Sequence, residues 1–80
     1  GTVDRATVYP RRVVEAALRR KAAAIILAHN HPNGDTRPSE QDKLITKALV
    51  LASSSVQLKV LDHLIVSSEQ VFSFRQEGLL

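Results

Sequence analysis

The chain contains no cysteine, which removes disulfides, thiolate metal sites and thiol nucleophiles together. Any metal it holds must be bound by His, Asp or Glu. Methionine and tryptophan are also absent, and aromatic residues amount to only 4%, too few for the stacking platforms on which single-stranded nucleic acids lie. The longest charge-free stretches, around 22–33 and 48–58, are too short and too often broken by polar residues to span a bilayer, so no membrane association is expected. The opening GTVDRATVYP lacks the basic-then-apolar pattern of a secretory signal, and a cytoplasmic setting is expected.

What is present is the composition of a folded domain. Apolar residues make up 44% and charged residues 24% of eighty positions, which fits neither a disordered tail nor a fibrous repeat. A chain of this length buries roughly 60–65% of the surface its unfolded form exposes, so one modest core is expected. The formal charge of +3 is unevenly spread, +4 accumulating by Lys21 and −1 over the remainder. Two readings of that cluster stand side by side: a basic helix that meets DNA phosphates, or cations complementing the carbonyl end of a helix.

Pro10 suits the first turn of a helix, and Val13, Val14, Ala17 and Leu18 follow at helical spacing, which predicts a helix over 10–21. The run AAAIILA at 22–28 reads as a central strand covered on both faces. A polar loop over 29–38 contains Pro32, Gly34 and Pro38. Ser39 then opens a second helix with an apolar stripe of Leu44, Ile45, Ala48, Leu49 and Ala52, ending at Ser53, Ser54 and Ser55. Residues 56–67 form one long strand or two joined by a bend, 68–70 a turn, and 71–74 a strand pairing back as a hairpin. The final leucines, Leu79 and Leu80, are expected to pack onto the body. The fold class is α/β, or α+β if the later strands are antiparallel.

The stretch HNHPNGDTRPSEQD, residues 29–42, carries the chemistry. His29 and His31 stand at i and i+2 at a strand end and project to one face. Pro32 and Gly34 let the chain leave sharply, and Asp42, in the first turn of the next helix, returns a carboxylate to the same point. Two nitrogens and one oxygen match a catalytic zinc site whose fourth position is open to water. Ser39 and Asp42 also fit an ordinary capping box. Asp35 is a further oxygen candidate that turn formation explains more simply. Asp62 and His63 face opposite sides of a strand, and His63 reads as a hydrogen-bonded structural residue. Residues 53–55 have no base at a recognisable spacing and no nucleophile context.

The pattern H-x-H-P-x-G-D-x-x-P-S-x-x-D resembles the metal motif of the JAMM (MPN/JAB) metallopeptidases. ILAHNHPNGD and the later VLDHLIV are similar to the bacterial RadC-like (UPF0758) proteins, long named as DNA repair proteins. The likeness runs from GT and VYP through EGLL. It implies the cytidine-deaminase-like JAB/MPN fold, a mixed sheet with flanking helices, and zinc bound by His29, His31 and Asp42. It also implies that Ser39 hydrogen-bonds the attacking water or the oxyanion formed on attack, and that the reaction is hydrolysis of a peptide or isopeptide bond. The family's catalytic Glu stands on a strand well before the H-x-H. None of Glu15, Glu40, Glu69 and Glu77 matches it, so the chain is expected to be the C-terminal portion of a single domain lacking its N-terminal strands. Arg12 departs from relatives that carry Glu after VYPR. A DNA-associated role and a non-catalytic metal-binding scaffold are alternatives to the hydrolase, and exposed strand edges would favour a homo-oligomer. The string His29-Asn30-His31 is not an HNH nuclease signature, whose residues are dispersed over a ββα-metal unit.

Overall fold

The computed structural model describes residues 9–31 and 34–80. Pro32 lies outside the described residues, as do Asp4 and Arg5, which count toward the charge accumulated by Lys21. Helix α1, Pro10–Arg19, begins with Pro10 in its first turn, where the missing N–H costs nothing. It ends two residues before the expected Lys21, because Lys21 takes a left-handed backbone (φ 56). Its N–H donates to Leu18 O at 3.0 Å and that of Ala22 to Ala17 O at 2.9 Å. This pair of bonds is the Schellman ending, and it directs the chain into β1, Ala24–Asn30.

Helix α2, Glu40–Ser54, ends in the same way. Gln57 (φ 57) is left-handed, and Leu58 N–H closes onto Ser53 O at 2.9 Å. Residues 56–58 therefore form the helix exit, and the long strand expected from 56 is a single β2, Lys59–Val66. A short β3, Val71–Ser73, returns after a turn in which the Ser67 hydroxyl accepts from Glu69 and Gln70 N–H. The sheet order is β1-β2-β3, with β1 parallel and β3 antiparallel to β2. The fold class is thus α/β, a mixed sheet with flanking helices.

Between Ile25 and Ile26 the β1–β2 register slips: Ile25 stands opposite Val60, but Ile26 stands opposite Asp62. Such a bulge carries one extra residue, here Leu61, and exchanges the faces of everything beyond it. Leu27 and His29 therefore lie opposite His63 and Ile65, on the face that α2 covers. Ile65, Leu49, Leu58 and Phe74 form the core there, with Ala17 of α1 buried as well.

Three expectations are corrected. Strand β1 is not covered on both faces: its alternate residues Ile26, Ala28 and Asn30 are exposed, because α2 packs only on the His29 side. The inner stripe of α2 is Thr46, Leu49 and Ser53, with half-buried Asp42 one turn before. Leu44 is 65% exposed; the helix is rotated by the polar contacts of Asp42 and Thr46 rather than by its apolar residues. Leu79 and Leu80 remain exposed, since a left-handed Gly78 with Leu79 N–H bonded to Phe74 O turns the tail after β3. Among the described residues no helix is long and apolar enough to cross a membrane.

Ser53 is fully buried and its hydroxyl has no hydrogen-bond partner, a desolvation cost of about 1–3 kcal/mol. Ser53→Ala is expected to stabilise the chain by about 1 kcal/mol, raising Tm by roughly 4–8 °C. A thermal melt with Tm unchanged or lowered would mean that the hydroxyl is satisfied in solution.

Candidate metal centre

His29 lies in the last two residues of β1 and His31 follows the strand directly, its N–H bonded to Val66 O at 3.0 Å. That bond extends the parallel ladder one step and keeps both imidazoles on one side of the strand end, their ring centroids 4.9 Å apart. The chain then reverses. Gly34, with φ 86, donates to His31 O, a left-handed backbone suited to glycine. Buried Thr36 ties the returning segment to the β2–β3 turn through Gln70 Oε1 at 3.3 Å.

The return ends in a capping box. Asp42 N–H donates to Ser39 Oγ at 3.0 Å and Ser39 N–H to Asp42 Oδ2 at 2.8 Å, so two otherwise unpaired amide groups of the helix start are satisfied. The cap also fixes the Asp42 rotamer. Its Oδ1 lies 3.4 Å from His29 Nε2 and its Oδ2 lies 3.3 Å from His31 Nε2. One ligand atom from each of His29, His31 and Asp42 lies within 4.8 Å of the others.

The electrostatics suit a cation. Burial pushes the Asp42 carboxyl up, but the Ser39 N–H and hydroxyl and the two histidines outweigh it and hold the group below its usual range. His29 is lowered, chiefly by burial and further by His31, against an opposing pull from Asp42. His31 Nδ1 lies 2.8 Å from Asp35 O; a carbonyl only accepts, so Nδ1 carries a proton and Nε2 is the ring nitrogen that faces Asp42. A tetrahedral ion with bonds of about 2.0–2.1 Å to nitrogen and oxygen needs donors roughly 3.3–3.4 Å apart. Each imidazole Nε2 lies at about that distance from one of the two Asp42 oxygens, and one ligand atom from each of the three residues falls within 4.8 Å of the others, so the donor set is of a kind and spacing that suits a metal.

Other residues singled out in the sequence lie elsewhere or play a different part. The Asp35 side chain accepts from Arg37 N–H at 2.9 Å and pairs with its guanidinium; its contribution to the site is the backbone carbonyl that orients His31. Ser39 is exposed beside Asp42. Glu15 pairs with Arg19 and Glu40 with Lys43, each on its own helix. Arg12 is exposed and lines a surface depression with Arg11 and Glu15.

Behind His29, His31 and Asp42 lies a buried network that the spacing of residues did not disclose. His63 Nε2 is 3.0 Å from His29 Nδ1, and His63 Nδ1 is 2.6 Å from Thr46 Oγ1. Burial, followed by the neighbouring His29, lowers the His63 imidazole to about 4, so it is neutral at pH 7. Phe74 stacks on it at 4.4 Å and 13°. Asp62, on the opposite face, accepts from His63 N–H, Ser73 Oγ and Arg75 N–H, joining β2 to the segment that carries Phe74. Burial raises its carboxyl, yet these donors and the Arg75 charge prevail and lower it.

A lowered carboxyl stabilises the fold above its unfolded-state value, and that stability is lost as pH falls through the folded-state value. Asp62→Asn is therefore expected to cost about 2 kcal/mol at pH 7, given the worth of hydrogen bonds to a charged group. The difference from wild type should shrink as pH drops below about 4. Urea unfolding of both proteins at pH 7 and pH 3 checks this, and a difference that grows toward acid would contradict it.

A family model described as "RadC-like JAB domain" matches residues 1–79. The UPF0758 protein YeeS of Escherichia coli (strain K12) is 54% identical over all 80 residues, which cover 54% of its own length. The UPF0758 protein YkfG of the same strain is 52% identical, with 51% of its length covered. The UPF0758 protein PSHAa2643 of Pseudoalteromonas translucida (strain TAC 125) is 54% identical, with 36% covered. The chain thus spans about half, or in the last case about a third, of the length of these curated relatives.

Proposed function

The chain belongs to the RadC-like JAB domain family, and from that membership and its site we propose that it binds zinc and serves a JAMM-type hydrolysis of a peptide or isopeptide bond. The observation that carries the reading is the convergence of His29, His31 and Asp42 ligand atoms within 4.8 Å. An all-nitrogen and oxygen set with two imidazoles and one carboxylate is typical of catalytic zinc sites, which keep one position for water or substrate. Zinc held there supplies Lewis acidity and lowers the pKa of water to about 7.

The protein's own groups prepare that chemistry. Asp42 is ionised and its rotamer is fixed by the cap, so the charge is in position before a cation arrives. The Ser39 oxygen accepts from Asp42 N–H, and its hydroxyl, which helps to lower the Asp42 carboxyl, would turn its proton to an oxyanion forming beside that carboxylate once a cation balances the carboxylate charge. Hydrolysis also needs a carboxylate to take a proton from the attacking water. Glu15 and Glu40 are engaged on their own helices and Glu69 and Glu77 are exposed. The proposal therefore takes the base from the part of the relatives' length that this chain does not span.

A second reading has α1 meeting DNA phosphates. Arg11, Arg12, Arg20 and Lys21 are exposed on or beside α1, although Arg19 is paired with Glu15. Binding of this kind weakens as salt rises, with a slope set by the number of phosphate contacts.

Calorimetric titration of the metal-free chain is expected to show one equivalent of zinc taken up. Asp42→Ala should weaken uptake by about 100-fold or more, beyond the effect of changing an outer-shell residue. A folded chain that takes up no zinc would overturn the reading. In a chain extended to its relatives' length, cleavage of an isopeptide-linked peptide should stop with chelator, return with zinc and be lost in His31→Ala. Zinc-dependent cleavage of a phosphodiester in its place would overturn the substrate class.

A further inference from the structure

Thr46 and His63 hold no ion in this reading, yet each is only 2% exposed. Polar groups so buried are costly unless every hydrogen bond is made. Thr46 Oγ1 lies 2.8 Å from Asp42 O, one helical turn earlier, and 2.6 Å from His63 Nδ1. The carbonyl can only accept, and a hydroxyl has a single proton to give. Both contacts are therefore favourable in one arrangement alone: Thr46 donates to Asp42 O, and His63 donates from Nδ1 to Thr46. His63, 2% exposed and with only His29 and Thr46 at its ring nitrogens, is neutral because a buried unpaired charge is costly, and with its proton on Nδ1 its Nε2 is bare. Its partner at 3.0 Å, His29 Nδ1, must carry a proton. His29 Nε2, 3.4 Å from Asp42 Oδ1, is left with its lone pair directed at the site.

We propose that Thr46 and His63 form a positioning relay that locks His29 in the Nδ1–H tautomer and aims its Nε2 at the metal. A ligating histidine commonly gives its second N–H to a carboxylate, carbonyl or water, which fixes ring orientation and raises ligand basicity. Here a second imidazole takes that part, and it is held rigidly. The bulge at Leu61 brings His63 to the His29 face, and Phe74 stacks against its ring. His31 is oriented separately by Asp35 O, so each ligating ring has its own device. The same Thr46 hydroxyl that begins the relay bonds the carbonyl of Asp42, and so ties His29 and Asp42 to one buried scaffold. The relay rests on the metal-binding reading above for its purpose, although the tautomer itself does not.

Long-range proton–nitrogen correlation spectra of the metal-free wild-type chain distinguish the two tautomers of each histidine. The expected result is His29 protonated at Nδ1. Zinc affinity, measured in parallel, should fall roughly 10–100-fold in His63→Leu and by a smaller factor in Thr46→Val, which leaves His63 able to change tautomer. It should recover substantially in His63→Gln, whose amide oxygen can accept from His29. A wild type that binds zinc but carries the His29 proton on Nε2 overturns the relay and leaves the metal reading intact. A wild type with His29 protonated at Nδ1 that takes up no zinc upholds the tautomer and overturns the metal reading. Folded His63→Leu with wild-type affinity, or His63→Gln as weak as His63→Leu, overturns the relay. The spectrum of the wild type needs no variant to fold.

Discussion

The parallel pairing of β1 with β2, out of step by one residue after Ile25, decides which side chains share the space beneath α2. Strand side chains alternate, so the single extra residue at Leu61 sends His63 inward beside His29 and Asp62 outward to the hairpin. Without the slip the ladder would set Asp62 opposite Leu27, on the ligand side, and His63 behind it. The network from Thr46 through His63 to His29, the stacking of Phe74 and the three-way acceptor role of Asp62 all follow from that offset.

Stability and site chemistry use the same groups here. The Ser39–Asp42 capping box satisfies the start of α2 and, by the same bonds, turns a carboxylate toward two imidazoles. Thr46 bonds back onto Asp42 O within the helix, a habit that ordinarily competes with helix geometry, and its oxygen also accepts from His63. The inner face of α2 is consequently polar where a small core would gain more from leucine, and Leu44 and Leu51 are left exposed. With only five apolar side chains buried among the described residues, a hydrogen-bonded polar layer forms a substantial part of what holds helix to sheet.

The convergence of His29, His31 and Asp42 was legible in the sequence because its signals are local. The i, i+2 spacing of His29 and His31 at a strand end, and the Ser-x-x-Asp of a helix start, each act over a few residues. Helix and strand positions were legible for the same reason, to within two or three residues. What local pattern could not supply was the register of a parallel pair formed across a helix, and with it the partner of His63. His63 was read as hydrogen-bonded and structural; the burial and bonding agree, while its attachment to a ligand depends on contacts 34 and 17 residues away. The apolar run at 22–28 suggested a strand covered twice, because hydropathy records what a residue tolerates rather than which helix lies over it. On α2 the apolar stripe misled for a related reason: Asp42 and Thr46 face inward for their hydrogen bonds, and Ser53 lies two turns after Thr46 on the same face.

The central claim is that this short chain assembles a preorganised nitrogen and oxygen metal centre from His29, His31 and Asp42. X-ray absorption at the zinc edge of the zinc-loaded wild-type chain tests it most directly. The account predicts a four-coordinate ion with nitrogen and oxygen ligands at about 2.0–2.1 Å and outer-shell scattering from two imidazoles. Six-coordinate zinc without imidazole scattering would contradict it.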